Sequence, residues 1–203
     1  MRKLALLTFI TLDGVMQAPK LPEEDTSNDF KLGGWADKYW DEVMEQVKSE
    51  AMSEPYDLLL GRKTYDIFAS AHKSNMNGNS DESPMDKATK YVVTNSDNKL
   101  EWKNSIAITG NVAEEISKLK SQDGLLLQVH GSWDLIQTLL LNDLVDEFRI
   151  WTFPVVLGKG KRLFSKDFVP KNLTLVKSES TSNGVVMSIY KCEQITGYNN
   201  VNS

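Results

Sequence analysis

Two short segments combine glycine, hydroxyl and cationic side chains in the way that phosphate recognition requires. Gly61-Arg62-Lys63-Thr64 follows the apolar run Tyr56–Leu60 and opens a helical pattern. A helix start offers backbone N–H groups without intrahelical partners. Arg62 and Lys63 add charge there, and Thr64 adds a hydroxyl. The helix dipole disfavours cations at this end, so two in succession point to an anion. The competing reading is an ordinary solvated first turn. His130-Gly131-Ser132 stands at a second strand-to-helix junction. Gly131 permits close backbone approach, and Ser132 serves either to cap the helix or to meet a phosphate. Junctions that follow parallel strands share one sheet edge, where α/β proteins bind ligands. Together the two suit an elongated dinucleotide better than a single phosphate. Asp13, in Asp13-Gly14 after the first apolar run, is either a turn residue or a polar contact to a bound heterocycle.

Other chemistries find little support. The two histidines, His72 and His130, stand in no metal-ligand spacing, and the single cysteine, Cys192, allows neither an internal disulfide nor a cysteine zinc site. No metal is expected. No G-x-S-x-G elbow, nucleotide-kinase loop or G-x-G-x-x-G is present. Gly158-Lys159-Gly160-Lys161 lacks the spacing of a phosphate loop and reads as a tight turn. The net charge of −5 gives no general attraction to nucleic acid or to an acidic membrane face, so neither partner is expected. The apolar stretch Leu4–Leu12 is short, carries Thr8 and Thr11, and reads as a buried strand rather than a leader. One cysteine fits a reducing compartment, and the cytoplasm is the expected location.

The elements that must position these residues follow from hydrophobic pattern. Of 203 residues, 40% are hydrophobic and 25% charged, an ordinary balance for one globular domain with its own core. Strands are predicted over Leu4–Thr11, Tyr56–Leu60, Tyr91–Thr94, Ser105–Ile108, Leu125–Val129 and Val145–Phe153. Helices are expected from Asp37, over Lys63–Ala69, from Asn111 with Glu114 completing a capping box, and from Ser132. Asp13–Gly34, with Pro19, Pro22 and a Gly-Gly pair, is a long loop and a candidate lid. His72–Pro84, rich in Ser, Asn and Gly, reads as a second surface loop. Leu173–Lys177 and Val185–Lys191 flank Asn183-Gly184, a hairpin signal. The order predicts one three-layer α/β/α domain over residues 1–195, with a mostly parallel sheet and an antiparallel C-terminal edge. Residues 196–203 are expected to fray.

Five segments in this order resemble the dihydrofolate reductase-like family. They are Thr11-Leu12-Asp13-Gly14-Val15, Leu59–Tyr65, Val129-His130-Gly131-Ser132, Leu144-Val145-Asp146-Glu147 and Pro154–Gly160. The closer likeness is to the branch related to the C-terminal reductase domain of bifunctional riboflavin-biosynthesis proteins. The resemblance implies an NADPH-dependent reductase acting on a small pterin- or pyrimidine-like molecule. It assigns Gly61, Arg62, Lys63, Thr64, Ser96, Val129, Gly131, Ser132, Trp133 and Asp134 to the cofactor. Arg62 and Lys63 would face the 2′-phosphate and Thr64 the pyrophosphate. Asp13 is the expected catalytic residue, and Asp13, Trp35, Tyr39 and Trp40 are expected around the substrate. The resemblance also implies a homodimer formed through the C-terminal sheet. Two alternatives stand beside it. One is reduction of the aminouracil ribosyl phosphate of riboflavin biosynthesis, which requires a basic pocket across the cleft from Thr64. The other is a binding protein that kept the fold without catalysis.

Overall fold

The computed structural model describes residues 1–75, 83–164 and 170–193. The predicted tail at 196–203 lies outside them. Eight strands form one sheet: β1 (Leu4–Thr11), β2 (Tyr56–Gly61), β3 (Lys90–Val93), β4 (Ser105–Ile108), β5 (Leu126–Gly131), β6 (Glu147–Phe153), β7 (Leu173–Ser180) and β8 (Val186–Cys192). Their spatial order is β4-β3-β2-β5-β1-β6-β8-β7. The first six are parallel to their neighbours, while β8 runs antiparallel to both β6 and β7. The helices are α1 (Glu42–Ala51), α2 (Arg62–Asn75), α3 (Pro84–Lys87), α4 (Val112–Ser121) and α5 (Trp133–Leu141).

Central strands in a three-layer fold are buried on both faces and read as continuous apolar runs. Residues Leu58, Leu59 and Leu60 are each 0% exposed. Leu59 packs with Leu4, Leu6 and Val129 against Ile116 of α4 and Ile136 and Leu139 of α5. Leu58 and Leu60 face the opposite way, onto Tyr65 and Ala69 of α2 and Trp102. On that second face the core continues past β1 and β6. Met44 of α1 meets Trp35, Trp151, Phe153 and Met187 there. The cleft described below opens on this face, between α1, α2 and the loop after β1.

Several boundaries differ from the sequence expectation for local reasons. The first long helix begins at Glu42 rather than Asp37. Asp37–Tyr39 forms a single 3₁₀ turn, Trp40 is extended, and Asp41 caps the helix by accepting from Met44 N–H at 2.9 Å. The helix after Gly61 starts at Arg62 and runs on to Asn75, so the expected loop over His72–Pro84 begins as helix. Ser83 then caps α3 in a reciprocal capping box with Asp86. Residues 76–82 of that expected loop lie outside the described ones. Asn111 caps α4 as expected, accepting from Glu114 N–H, but Glu114 returns its carboxylate to the Asn111 side chain. Ser132 takes the N-cap position of α5, yet its hydroxyl makes no cap bond.

Candidate functional site

The C-terminal ends of β2 and β5 are neighbours, with Leu60 aligned to Gly131. Their two turns interlock. A side chain added at Gly61 would collide with the hydroxyl, Cβ and backbone nitrogen of Ser132. One added at Gly131 would stand 2.6 Å from Thr64 Oγ1. Gly61 is therefore required by the close approach of the Ser132 backbone and side chain, and Gly131 by the Thr64 side chain; the absence of a Cβ at either position also lets a phosphate come near. The Gly131–Ser132 peptide is cis. The corners open on one cleft of about 930 Å³, lined on this side by Lys63, Thr64, Gly131, Ser132 and Trp133. That is near the upper end of the roughly 300–1,000 Å³ typical of small-molecule sites.

The side chains of Lys63, Thr64 and Ser132 make no hydrogen bond or ion pair with another described residue. Ser132 leaves the first amides of α5 without a side-chain cap, and helix-start amides of this kind are donors an anion can use. A cation, two hydroxyls and free amides around two glycines fit the pyrophosphate of a dinucleotide. Arg62 lies outside the cleft lining. Its Nε contacts both Asp66 oxygens at 2.9 and 3.0 Å, and its Nη1 donates to Asn98 O at 3.1 Å. Asn98 N–H in turn donates to Ser96 Oγ at 3.2 Å. Arg62 and Ser96 thus share one rim segment beside the corner rather than the cleft itself. Val129 and Asp134 are not part of the lining. Val129 is fully buried on the α4–α5 face, and Asp134 is exposed on α5.

The floor and far walls come from elements that sequence reasoning did not assign. Leu7, Thr8 and Phe9 of β1, Trp151 of β6 and His130 of β5 line the cleft, with Ile67, Phe68 and His72 of α2 along one wall. The spacing Lys63/Thr64, Ile67/Phe68, Ala71/His72 is one helix face, legible once the helix is known to continue past Ala69. Met16–Leu21 forms the opposite wall. This loop was expected as a lid, and it is fastened at several points. Trp35 Nε1 donates to Gln17 O at 2.8 Å, Gln17 Nε2 donates to Asp25 O and Ser27 O, and Lys161 pairs with Asp25 at 2.7 Å.

Three substrate-side expectations are corrected by these positions. Trp35 is a core residue packed edge-on against Phe153, and Tyr39 also packs on Phe153, with its hydroxyl near Pro154 O. Neither lines the cleft. Asp13 does not line it either. Its carboxylate accepts from Thr11 Oγ1 at 2.6 Å, from Leu157 N at 3.2 Å and from Gly158 N at 2.9 Å, and Arg162 stands 3.4 Å away. Burial alone would raise its pKa, but the Thr11 hydroxyl and the two amides outweigh that and hold it below the ordinary aspartate value. Asp13 is thus an ionised clasp that joins the turn after β1 to the Pro154–Gly160 segment. Trp40 does line the cleft, with Lys20 Nζ 4.0 Å above its ring.

Two titratable groups on the lining are held in opposite ways. His130 packs against the Phe68 ring at 5.7 Å and has Nε2 3.1 Å from Gln128 Oε1. Burial, with Arg149 and Lys48 nearby, pushes its pKa down to about 4, so the ring is neutral at physiological pH. His72 stacks on Trp102 with its Nδ1 2.9 Å from Asp86 Oδ1. Burial would raise the Asp86 pKa, but Ser83 and Trp102 donate to its carboxylate and keep it low. Among the described residues no group of His, Cys, Asp and Glu could hold a metal ion. No helix among them is long and apolar enough to cross a membrane.

A parallel sheet between two helical layers, two glycine corners at its C-terminal edge and a cleft across β1 define a dihydrofolate reductase-like α/β/α protein. The chain belongs to the RibD C-terminal domain family, whose model matches residues 2–187. Two uncharacterized proteins of Bacillus subtilis (strain 168) are similar in sequence. YyaP is 34% identical over 192 residues, covering 93% of this chain and 94% of the relative. YwjB is 27% identical, covering 80% and 83%. Among solved structures, a riboflavin biosynthesis protein from Shewanella sp. PV-4 superposes with a TM-score of 0.64 at 20% identity, covering 96% of this chain and all of that one. A pyrimidine reductase-like protein from Corynebacterium diphtheriae gives 0.63 at 10% identity, covering 96% and 93%. Dihydrofolate reductase from Enterococcus faecalis, complexed with NADP(H) and RAB-propyl, gives 0.58 at 16% identity, covering 95% and 97%. These likenesses establish a reductase-type fold.

Proposed function

We propose that the protein binds NADPH across the two glycine corners and reduces a small planar heterocycle lying on the β1 floor. The observation that carries this reading is the interlock of Gly61 with Ser132 and of Gly131 with Thr64. It sets Lys63 and the hydroxyls of Thr64 and Ser132, none of them bonded to another described residue, on the lining of a single cleft. Lys63, Thr64, Ser132 and the first amides of α5 would hold the pyrophosphate. Arg62, with Ser96 beside it on the rim, would take the adenosine-side phosphate after exchanging its Asp66 contact. NADPH supplies a hydride when bound. The chain supplies an apolar floor of Leu7, Phe9 and Trp151 and a pinned loop at Met16–Leu21 that exclude water from the reacting face. Asp13 acts here by joining the turn after β1 to the Pro154–Gly160 segment.

Calorimetric titration tests the assignment. NADPH is expected to bind, and Lys63→Ala combined with Thr64→Val should weaken it by about a hundredfold or more, since hydrogen bonds to charged groups contribute roughly 1.5–3 kcal/mol each. Unaltered affinity in that variant would remove the corner from the cofactor site. Consumption of NADPH absorbance in a screen of pterins and pyrimidines would then identify the substrate. A phosphorylated substrate such as the aminouracil ribosyl phosphate is a second reading, favoured by Lys20 and Lys48, which both lie over the Trp40 ring on the cleft lining.

The dimer implied by the family resemblance is placed, in the same proposal, on β7. This edge strand is exposed along its length, with Leu173 at 37%, Leu175 at 52% and Val176 at 51%. An unpaired apolar edge favours association. Light scattering after size exclusion should give twice the 22.9 kDa chain mass, and Leu175→Lys with Val176→Lys should return a monomer.

A further inference from the structure

His130 is a polar side chain on the cleft lining whose chemistry the cofactor site does not use. Along β5 successive side chains alternate between the two sheet faces. Val129 packs into the α4–α5 core, so His130 is directed to the opposite face, where it lines the cleft. Its neighbours fix its hydrogen-bonding role. Gln128, fully buried two residues earlier on the same face, presents Oε1 to His130 Nε2 at 3.1 Å. A carbonyl oxygen carries no proton, so Nε2 must donate and Nδ1 is left with its lone pair. Nδ1 has no partner among the described residues. The charged groups acting on the ring are Arg149, from β6 and paired with Glu147, and Lys48 from α1. Both are cations, and with burial they oppose a second proton on the ring. His130 thus lines the cleft as a neutral ring beside Phe68, with Nδ1 its one remaining acceptor.

We propose that His130 is the specificity-determining residue of the cleft, its Nδ1 accepting a hydrogen bond from an N–H or NH₂ group on a flat heterocyclic ligand. The inference rests on the reading of the cleft as a heterocycle site and names the donor chemistry that this site selects. A site built to pair with a donor rejects the analogue that lacks it, because the acceptor is then buried without a partner. Amino-substituted rings are selected. Rings of the same shape that present only acceptors at that position are refused.

The test uses the full chain and two probes of like shape, 2,4-diaminopyrimidine and 2,4-dimethoxypyrimidine, titrated calorimetrically with and without NADPH. The wild-type protein should prefer the diamino probe by about tenfold, the scale of one hydrogen bond of roughly 1.4 kcal/mol. His130→Phe should bring the two probes within about threefold of each other while leaving NADPH affinity unchanged. Nitrogen-15 spectra of histidine-labelled wild-type protein give a second readout that needs no variant. They should show His130 as the Nε2–H tautomer at pH 7, with its Nδ1 signal moved by the diamino probe. Equal binding of the two probes, no binding of the diamino probe at millimolar concentration, a preference that survives in His130→Phe, or an Nδ1–H tautomer would each overturn the inference. NADPH is scored separately. A His130-dependent preference without NADPH binding would support this inference and end the cofactor assignment.

Discussion

Asp57→Ala should destabilise the fold by about 3–5 kcal/mol, the cost of leaving a buried partner charge uncompensated. Arg2 is 4% exposed and Asp57 8% exposed, and they form an ion pair between the segment before β1 and strand β2. The guanidinium also donates to Leu125 O at 2.8 Å and to Tyr91 Oη at 3.3 Å, while Asp57 accepts from Thr89 N–H at 3.2 Å. One cluster thus ties β1, β2, β3 and the start of β5 together at the N-terminal edge of the sheet. The removal of Asp57 strands the arginine inside it. Urea unfolding followed by tryptophan fluorescence measures the loss. Arg2→Met with Asp57→Leu should recover most of it, because an apolar pair of similar volume carries no desolvation cost. The cluster lies at the opposite end of the strands from Gly61 and Gly131, so folded Asp57→Ala protein should bind ligand with wild-type affinity. A loss below about 1 kcal/mol would show that the pair is dispensable.

The second large effect is a loss of stability in mild acid. In the unfolded chain the His130 imidazole protonates near pH 6.5, whereas in the folded protein it resists protonation until about pH 4. Between those values the unfolded state binds more protons, so stability falls as pH decreases. From above pH 6.5 to below pH 4 the loss from this one group is roughly 3 kcal/mol, taking about 1.4 kcal/mol for each pH interval between the two values. Carboxylates held low, such as Asp25 and Asp86, act in a different window. Their contribution is present above the unfolded value of 3.8 and is lost only as pH drops beneath it. The difference between wild-type and His130→Phe unfolding free energies, measured from pH 7.5 to 4, isolates the histidine. The variant's curve should be flatter by that amount. Parallel curves would show that the folded protein does not hold His130 neutral below its ordinary pKa.

Much of this architecture is legible in the order of residues because backbone-level preferences are local. The apolar run through Leu58–Leu60, the glycines at positions 61 and 131, and the Asn183-Gly184 turn each declare their conformation within a few residues. The pairing of the two corners follows as well, since adjacent parallel strands deliver their ends to the same edge. Where local reading stopped short, a competing short-range interaction decided. Asp41 supplied a better cap than any residue near Asp37, and α2 continued to Asn75 although serines and asparagines follow Ala69.

Side-chain roles were the less legible part. Asp13, Trp35 and Tyr39 have the chemistry of substrate contacts, yet Asp13 is consumed by Thr11 and the amides of Leu157 and Gly158, and both aromatics pack against Phe153. Those partners lie more than a hundred residues away for the most part, and nothing near Asp13 in the chain announces them. His130 shows the converse. It stands in the Val129–Ser132 segment with no role assigned to its own side chain, and its neutral state arises from burial and from Arg149 and Lys48, which other strands and helices bring to it. The chain alone determined the layers, the parallel sheet and the two glycine corners, because strand alternation and turn geometry are short-range. Only the folded structure decided which polar groups were spent on structure and which were left facing the cleft, because hydrogen-bond satisfaction and desolvation depend on neighbours that the tertiary fold supplies.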